Sequence, residues 1–377
     1  MIFKNGTVLL DDFSFLKTDI RIENGKIAEI GDGLSGTETK DIDGLYLLPG
    51  LIEEHFHGAN GYGVLGATAE DFLKIAEFEA ACGVTTITPT LSSYPDEDVY
   101  SCIESIKQAM QQQTGGSRIL GLHLEGPFLS NKYRGAHNPS NLKNPTVERL
   151  SGFLEAAEGC VKVLTLAPEL EGAIDTIKYA VSKGIAVEIG HSEATFQEAV
   201  SAIDAGASIS THTFNAMVPL NHRNPGILGA VLTDDRVHCE VMADLGHVAG
   251  AVVKLIYRAK GVDRVNIVSD STNFAGYPDG EYSEKGNKYT VKKGIAYLEN
   301  GTITGSVYTI FDGVRNCVKE LGIPLEHAVK MASYNPAKSL GIQHETGSIA
   351  LGKRADFFSM DKDFNIKETY CGGRKVY

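Results

Sequence analysis

At 377 residues and 42% hydrophobic side chains, the chain carries enough apolar material for one large domain and a smaller one. Its 48 Asp and Glu against 35 Lys and Arg give a formal net charge of −13 with no basic run, which leaves a polyanion such as nucleic acid no electrostatic footprint. No apolar stretch is long enough to span a bilayer, Met1 to Gly6 shows no charged segment leading into an apolar one, and the six cysteines have no Cys-x-x-Cys spacing, so we expect a cytoplasmic protein with reduced, buried thiols.

Residues 1 to about 45 read as short strands. Asp19 to Glu23 alternates polar and apolar, Asn24-Gly25 is a type I′ hairpin signal, and Lys26 to Ile30 returns. The same pattern comes back in Gly347-Ser348-Ile349, Ala355 to Met360 and Thr369 to Gly373. Neither piece can bury a core alone, so residues 1–48 and 346–377 are expected to pair into one small β-sandwich.

Residues 49–345 alternate apolar strand, loop and amphipathic helix. Strands are expected to end near His55, Thr88, Glu125, Leu166, His191, His212, Ala243 and Asp270. Helices are expected over Ala69 to Cys82, Asp96 to Gln112, Thr146 to Ala157, Glu171 to Lys183, Thr195 to Ala205 and Ala249 to Lys260. Eight apolar strands alternating with helices predict an α/β fold, a closed parallel TIM (β/α)8 barrel whose strands are buried on both faces. An open doubly wound sheet is the alternative; no Gly-x-Gly-x-x-Gly follows the first strand, so the dinucleotide fingerprint is missing. A Gly- and Tyr-rich segment from Thr272 to Tyr289 reads as an active-site loop. Helices over Val307 to Leu321 and Leu325 to Ala332 close the domain.

A barrel of this kind presents its chemistry at the C-terminal ends of its strands. Strand one ends in His55-Phe56-His57, whose period-two spacing puts both imidazoles on one face. Strand three carries Glu125 to its tip and breaks at Gly126-Pro127; strands five, six and eight end in His191, His212 and Asp270. A strand-end Glu paired to a Lys or Arg is the plainer reading of Glu125 alone. Four histidines and two carboxylates on one mouth instead predict a centre for one or two divalent ions, Zn²⁺ first, with Fe²⁺, Mn²⁺ or Co²⁺ served by the same donors. His123, two residues before Glu125, reads as a hydrogen-bonding residue behind the site. His222, Lys132, Tyr133, Arg134 and the tyrosines 277, 282 and 289 read equally well as pocket border or as surface and packing; His238, His327 and His344 are assigned to structure or solvent.

The stretches Pro49 to Gly58, His123 to Phe128, Arg134 to His137, Gly190 to Ser192, His212 to Met217, Asp244 to His247 and Ser269-Asp270, with Gly347 to Ile349 and Gly352 to Asp356, resemble the N-acetylglucosamine-6-phosphate deacetylases of the amidohydrolase superfamily nearly end to end. The signals at strands one and eight are shared across that superfamily, whereas Glu-Gly-Pro-Phe, Gly-Ala-His and Phe-Asn-Ala-Met are particular to the deacetylases. The resemblance implies a distorted TIM barrel with a small β-sandwich built from both termini. It implies hydrolysis of N-acetyl-D-glucosamine 6-phosphate to D-glucosamine 6-phosphate and acetate, by a metal-bound hydroxide with Asp270 as acid/base. Glu125, His191 and His212 correspond to the family's metal ligands, and His55 and His57 to a second site where some members carry Gln-x-Asn and use one metal. His137 would steady the oxyanion. Asn215, Ala216, Arg223 and His247 match the substrate and phosphate contacts, with Arg223 reaching a neighbouring subunit of a homodimer. Ser271 departs from the pattern, standing where a small apolar residue is common. Three alternatives stay open: the same chemistry on the galactosamine epimer, another amidohydrolase reaction such as cyclic amide hydrolysis or nucleobase deamination, and a binding protein that has lost catalysis.

Overall fold

The computed structural model of the chain describes residues 1–284 and 287–377. Residues 285 and 286, inside the segment read as an active-site loop, lie outside the described residues. Among the described residues, eight parallel strand positions alternate with eight helices. Val84–Ile87, Leu122–Glu125, His238–Met242 and Val265–Val268 are buried at every position, which a strand flanked by helices on one side and a filled barrel on the other requires.

The barrel's hydrogen bonding is split between two sheets. A seven-stranded parallel sheet runs through Thr90–Leu91, Leu122–Glu125, Val161–Leu166, Ala186–Ile189, Ile209–Ser210, His238–Met242 and Val265–Val268. A three-stranded sheet joins Arg118–Ile119, Val84–Ile87 and Leu51–Glu53. The split follows from the second strand, which Pro89 interrupts: a proline offers no N–H to a ladder. Below Pro89 the strand pairs with the first strand, and above it Thr90 and Leu91 pair with His123 and Leu124. Closure between first and eighth strands is made by the site itself, where the Asp270 N–H donates to the His55 carbonyl at 2.9 Å and the Ser269 N–H to the Glu53 carboxylate at 3.1 Å.

Helix starts are specified locally. Thr68, Thr195 and Thr309 each form a reciprocal capping box with Asp71, Glu198 and Asp312, contributing about 0.5–2 kcal/mol per cap. The helix Gly226–Thr233, absent from the expected elements, follows the sixth strand; seven of its eight residues are buried, so its sequence shows no polar face to give a 3.6-residue period.

Both termini build one sheet. Ile2–Leu9, Phe15–Glu23, Lys26–Gly31 and Tyr46–Pro49 pair with Phe357–Met360, Ile366–Cys371 and Arg374–Lys375, and Thr39–Asp41 pairs beside Ile2–Leu9. Asn24 and Gly25 turn the hairpin with φ of 51° and 74°, the two positive values a type I′ turn needs. The sheet curls until its edge meets the C-terminal segment, with the Ile27 N–H donating to the Lys353 carbonyl and the Ala355 N–H to the Gly25 carbonyl, both at 2.9 Å. Inside the curl, Phe3 meets Phe357 and Tyr370 edge to face at centroid distances of 5.1 and 4.9 Å.

The segment Thr272 to Tyr289 is not simply a loop. It contains Gly280–Glu284 and the start of Asn287–Lys292, which with Ile295–Leu298 and Ile303–Ser306 form a four-stranded antiparallel sheet inserted between the eighth strand and the helix Ile310–Lys319. Tyr277, Tyr282 and Tyr289 pack on a small core of Phe274, Val291, Ala296 and Val307. The sheet is pinned to the barrel mouth, where Ser306 donates its N–H to the Asp270 carbonyl at 3.0 Å and accepts the Thr272 N–H at 2.9 Å. Gly305 permits that approach: with φ at 138°, any Cβ there would lie 2.7 Å from the Asp270 carbonyl oxygen.

Candidate active site

A cavity of about 990 Å³ opens at the C-terminal mouth of the barrel. Its floor is His57, Glu125, His191, His212 and Asp270; one wall is the segment Lys132 to Asn138, and the opposite wall comes from the inserted sheet through Tyr289, Leu298 and Gly301 to Gly305.

Glu125 is the hub. Its Oε1 lies 3.0 Å from His191 Nε2, 3.2 Å from His212 Nε2 and 3.5 Å from His55 Nε2, while Oε2 lies 3.2 Å from His137 Nε2 and 3.4 Å from His57 Nε2. His191 and His212 face each other with their Nε2 atoms 3.0 Å apart. Asp270 Oδ1 stands 3.2 Å from His57 Nε2 and 3.8 Å from His55 Nε2. Glu125 with His191 and His212 could thus hold one ion and His55 with His57 another, with Asp270 beside them.

Hydrogen bonds at the far side of the ring decide what Nε2 can do in His191, His57, His55 and His137; His212 Nδ1 is buried with no such partner among the described residues. His191 Nδ1 donates to the Tyr133 carbonyl (2.9 Å), His57 Nδ1 to the Thr90 carbonyl (3.1 Å) and His55 Nδ1 to the Glu240 carboxylate (3.0 Å). In the neutral ring these bonds place the proton on Nδ1 and leave the Nε2 lone pair available to a metal. His137 is the opposite case. Its Nδ1 accepts the Ser93 backbone N–H at 3.1 Å, so the neutral ring carries its proton on Nε2 and points a donor into the cavity. Although His137 sits close enough to Glu125 and His191 to share an ion with them, this tautomer makes it a hydrogen-bond donor rather than a ligand.

The electrostatics fit a cation. Burial works to discharge His55, yet Glu240 and Glu125 outweigh it and hold the imidazole well above its usual range; His57 is raised against burial by Asp270 and Glu125. Burial would raise Asp270, but His57 and His55 draw it down to about 2. Glu125 is likewise pulled well below the carboxylate range, against burial, by His137, His191 and His212. His55 Nε2 is buried with no hydrogen-bond partner among the described residues, a loss that a coordinated ion would remove.

Three of these residues stand on left-handed backbone: His191 at φ 46°, His212 at 25° and Asp270 at 47°. Each such residue costs on the order of 1–3 kcal/mol and persists only where its surroundings over-determine it. Here the ties are the His212 N–H to Glu240 (2.8 Å), the Ser130 N–H to the His191 carbonyl (3.0 Å) and the Asp270 contacts to His55 and Ser306. Glu169 braces the turn after His191 by accepting the Ser192 hydroxyl at 2.7 Å and the Glu193 N–H at 2.8 Å.

Beneath the floor lie four fully buried carboxylates, Glu53, Glu54, Glu188 and Glu240. Burial, reinforced by Glu240, pushes Glu54 up to about 8 and raises Glu188. His123 lies among them with Nδ1 3.2 Å from the Glu54 carbonyl and Nε2 2.8 Å from Thr165 Oγ1, its pKa well below normal through burial. Both its nitrogens are engaged, which leaves it behind the site.

The remaining site residues divide. Asn215, Ala216 and His247 line the cavity; His247 Nδ1 bonds Asp244 at 2.5 Å, while its buried Nε2 has no partner among the described residues. Burial lowers the His247 pKa, but Asp244 overrides it and the net shift is upward. Arg223 is elsewhere: it is exposed in the loop before Gly226–Thr233, its N–H bonded to Asn221 at 2.9 Å, and it does not line the cavity of its own chain. Lys132 and Tyr133 border the cavity, whereas Tyr277 and Tyr282 pack inside the inserted sheet. Sequence reasoning missed Ser93, Glu169 and Glu240. Glu240 had a signal, a lone acid inside the apolar strand His238–Met242; Ser93 and Glu169 had none.

The amidohydrolase family model matches residues 46–376. The chain is 34% identical over 357 residues to N-acetylglucosamine-6-phosphate deacetylase from Vibrio furnissii, covering 94% of this chain and 89% of that protein. It is 33% identical over 355 residues to N-acetylgalactosamine-6-phosphate deacetylase from Escherichia coli O157:H7, covering 94% and 93%. Among solved structures, a mutant of N-acetyl-D-glucosamine-6-phosphate deacetylase from Mycobacterium smegmatis, in complex with N-acetyl-D-glucosamine-6-phosphate, matches with a TM-score of 0.93 at 31% identity, covering 100% of this chain and 99% of the other.

Proposed function

The chain belongs to the amidohydrolase family, and on that premise we propose that it hydrolyses the acetamide of N-acetyl-D-glucosamine 6-phosphate to D-glucosamine 6-phosphate and acetate. The observation that carries this reading is the convergence of Glu125, His191, His212 and Asp270 on a cavity that also presents the buried Nε2 of His247, unpartnered among the described residues. Glu125, His191 and His212 would hold one divalent ion and His55 with His57 a second, Zn²⁺ being favoured by the imidazole and carboxylate donors over Fe²⁺, Mn²⁺ or Co²⁺. Bound there, the metal supplies Lewis acidity, lowering the pKa of water and polarising the acetamide oxygen.

The chain's own groups do the rest. Asp270, ionised at neutral pH, accepts the proton of the attacking water and delivers it to the sugar nitrogen, since an amine leaves poorly unless protonated. His137 donates its Nε2 proton as a hydrogen bond to the acetamide oxygen as negative charge grows there. The inserted sheet forms one side of the cavity. His247, Asn215 and the Ala216 backbone face the phosphate. Arg223, remote from its own cavity, would serve a neighbouring subunit's site in a homodimer.

We further propose that residues 1–48 and 346–377 form a supporting β-domain to a catalytic barrel over 49–345, and that the enzyme works in the cytoplasm; among the described residues no helix is long and apolar enough to cross a membrane. A second reading, the galactosamine epimer, is favoured by the similar identity to the Escherichia coli relative. The test is acetate release by chelator-stripped protein titrated with Zn²⁺ on the two epimeric 6-phosphates and on unphosphorylated N-acetylglucosamine. Activity that returns with metal and requires phosphate supports the reading. Metal binding without cleavage of either epimer refutes it.

A further inference from the structure

The seventh strand, His238–Met242, contributes no metal ligand to the mouth, yet it buries a carboxylate completely. A buried acid costs several kcal/mol unless hydrogen bonds compensate it, so its position calls for a reason. Glu240 does not line the cavity and cannot touch substrate. One of its oxygens, Oε2, takes two donors at once: His55 Nδ1–H at 3.0 Å and the His212 backbone N–H at 2.8 Å. The Glu240 carbonyl meanwhile accepts the Thr213 N–H at 2.9 Å, so His212 and the residue after it are both tied to the same glutamate.

These two donors belong to different halves of the centre. His55 serves the pair with His57; His212 serves the group with Glu125 and His191. For His55, the bond to Oε2 selects the tautomer. Without it the ring is free to carry its proton on Nε2 and donate toward Glu125, 3.5 Å away, and an Nε2 that holds a proton cannot coordinate. For His212, the same oxygen anchors a backbone held at φ 25°. We propose that Glu240 is a positioning residue that commits the His55/His57 pair to binding a second ion and mechanically links that ion's site to the first. The inference rests on the metal-centre reading above and extends it to a residue outside the ligand set.

The comparison is between wild type, Glu240→Gln and Glu240→Leu, each stripped by chelator and titrated with Co²⁺ against a chromophoric competitor. Ion number, stepwise affinity and the Co²⁺ absorption spectrum are read, with a thermal melt as control. The glutamine carbonyl can accept both donors without the charge, so Glu240→Gln should keep both ions and weaken the second by about tenfold. Leucine accepts neither. Glu240→Leu should keep the first ion and weaken the second about 100-fold, with the second spectral component missing at one equivalent above saturation of the first. Two ions at wild-type affinity in Glu240→Leu would overturn the inference, and if that variant does not fold, an unchanged second affinity in Glu240→Gln does the same. A wild type that binds only one ion removes the second site and the inference with it. A wild type that binds none refutes the metal-centre reading itself, a separate failure.

Discussion

Gly190 precedes His191, and a methyl group added to it would lie 2.5 Å from Thr211 Cβ and 2.8 Å from Thr211 Oγ1. Ordinary contact begins near 3.4 Å, so in Gly190→Ala the ends of the fifth and sixth strands must part by roughly 1 Å. Thr211 cannot swing aside cheaply, because its hydroxyl donates to Glu188 Oε2 at 3.0 Å inside the barrel. Overpacking of this kind costs about 1–3 kcal/mol. Gly190 is not in the left-handed region, so alanine's reduced unfolded-state entropy offsets about 0.4–1 kcal/mol, leaving a net loss of about 0–2.6 kcal/mol. With an unfolding entropy near 2.1 cal/mol/K per residue, a chain of this length should lose at most about 3 °C in Tm. The metal centre is less forgiving. His191 and His212, the residues that follow Gly190 and Thr211, oppose their Nε2 atoms at 3.0 Å, and ligand distances tolerate only about 0.2 Å. Zn²⁺ affinity should therefore fall by about tenfold or more while the fold survives. Calorimetric titration with Zn²⁺ beside a thermal melt reads both quantities, and a second change, Thr211→Gly, should recover much of the affinity by vacating the contested space. Wild-type Zn²⁺ affinity in Gly190→Ala would refute the reasoning, since it would show that the strand ends part without disturbing the ligands.

Asp270→Asn should lower turnover about 10²–10⁴-fold with ion content unchanged, measured by acetate release and metal analysis; substantial remaining turnover would sink the acid/base assignment. His247 titrates above its usual range, so its positive charge is present at low pH and lost as pH rises through that raised pKa. KM for the phosphorylated sugar should climb over that interval in the wild type and stay flat in His247→Asn. Glu79 on the helix Ala69–Ala81 is pushed up to about 8 by burial, so the folded state binds its proton more tightly than the unfolded. Its contribution is complete below about pH 4.5 and fades as pH rises through 8, and Glu79→Gln should stabilise by about 2–4 kcal/mol at pH 8 but little at pH 5 in urea denaturation.

Much of this was legible in the sequence, for physical reasons. Apolar runs ending in His, Glu or Asp mark barrel strands because the interior demands burial and the mouth allows charge, so the strand ends at His55, Glu125, His191, His212 and Asp270 could be placed. Helices with one polar face announced themselves. What escaped lacks a local signature. Gly226–Thr233 is buried almost all round and so has no amphipathic period. The inserted sheet carries exposed Lys and Glu, and among its described residues the core cluster is just Phe274, Val291, Ala296 and Val307. Ser93 fixes the tautomer of His137 through its backbone N–H, which any residue but proline could donate. Arg223 is easily grouped with His247 by chemistry, but grouping does not measure distance.

The shared sheet of the two termini sets an order of events during synthesis. Tyr46–Pro49 finds its partner in Phe357–Met360, and Phe3 finds its aromatic neighbours in Phe357 and Tyr370. At 5–20 residues per second, the first strands wait roughly 15–60 s on the ribosome before those partners emerge. The barrel has time to collapse first, while the leading hairpin shows an unpaired edge to the cell. Loss of the last twenty residues would leave every proposed metal ligand in place and still strand the amino terminus, whereas a circular permutant that joins the two ends would bring the partners out together and shorten the exposure.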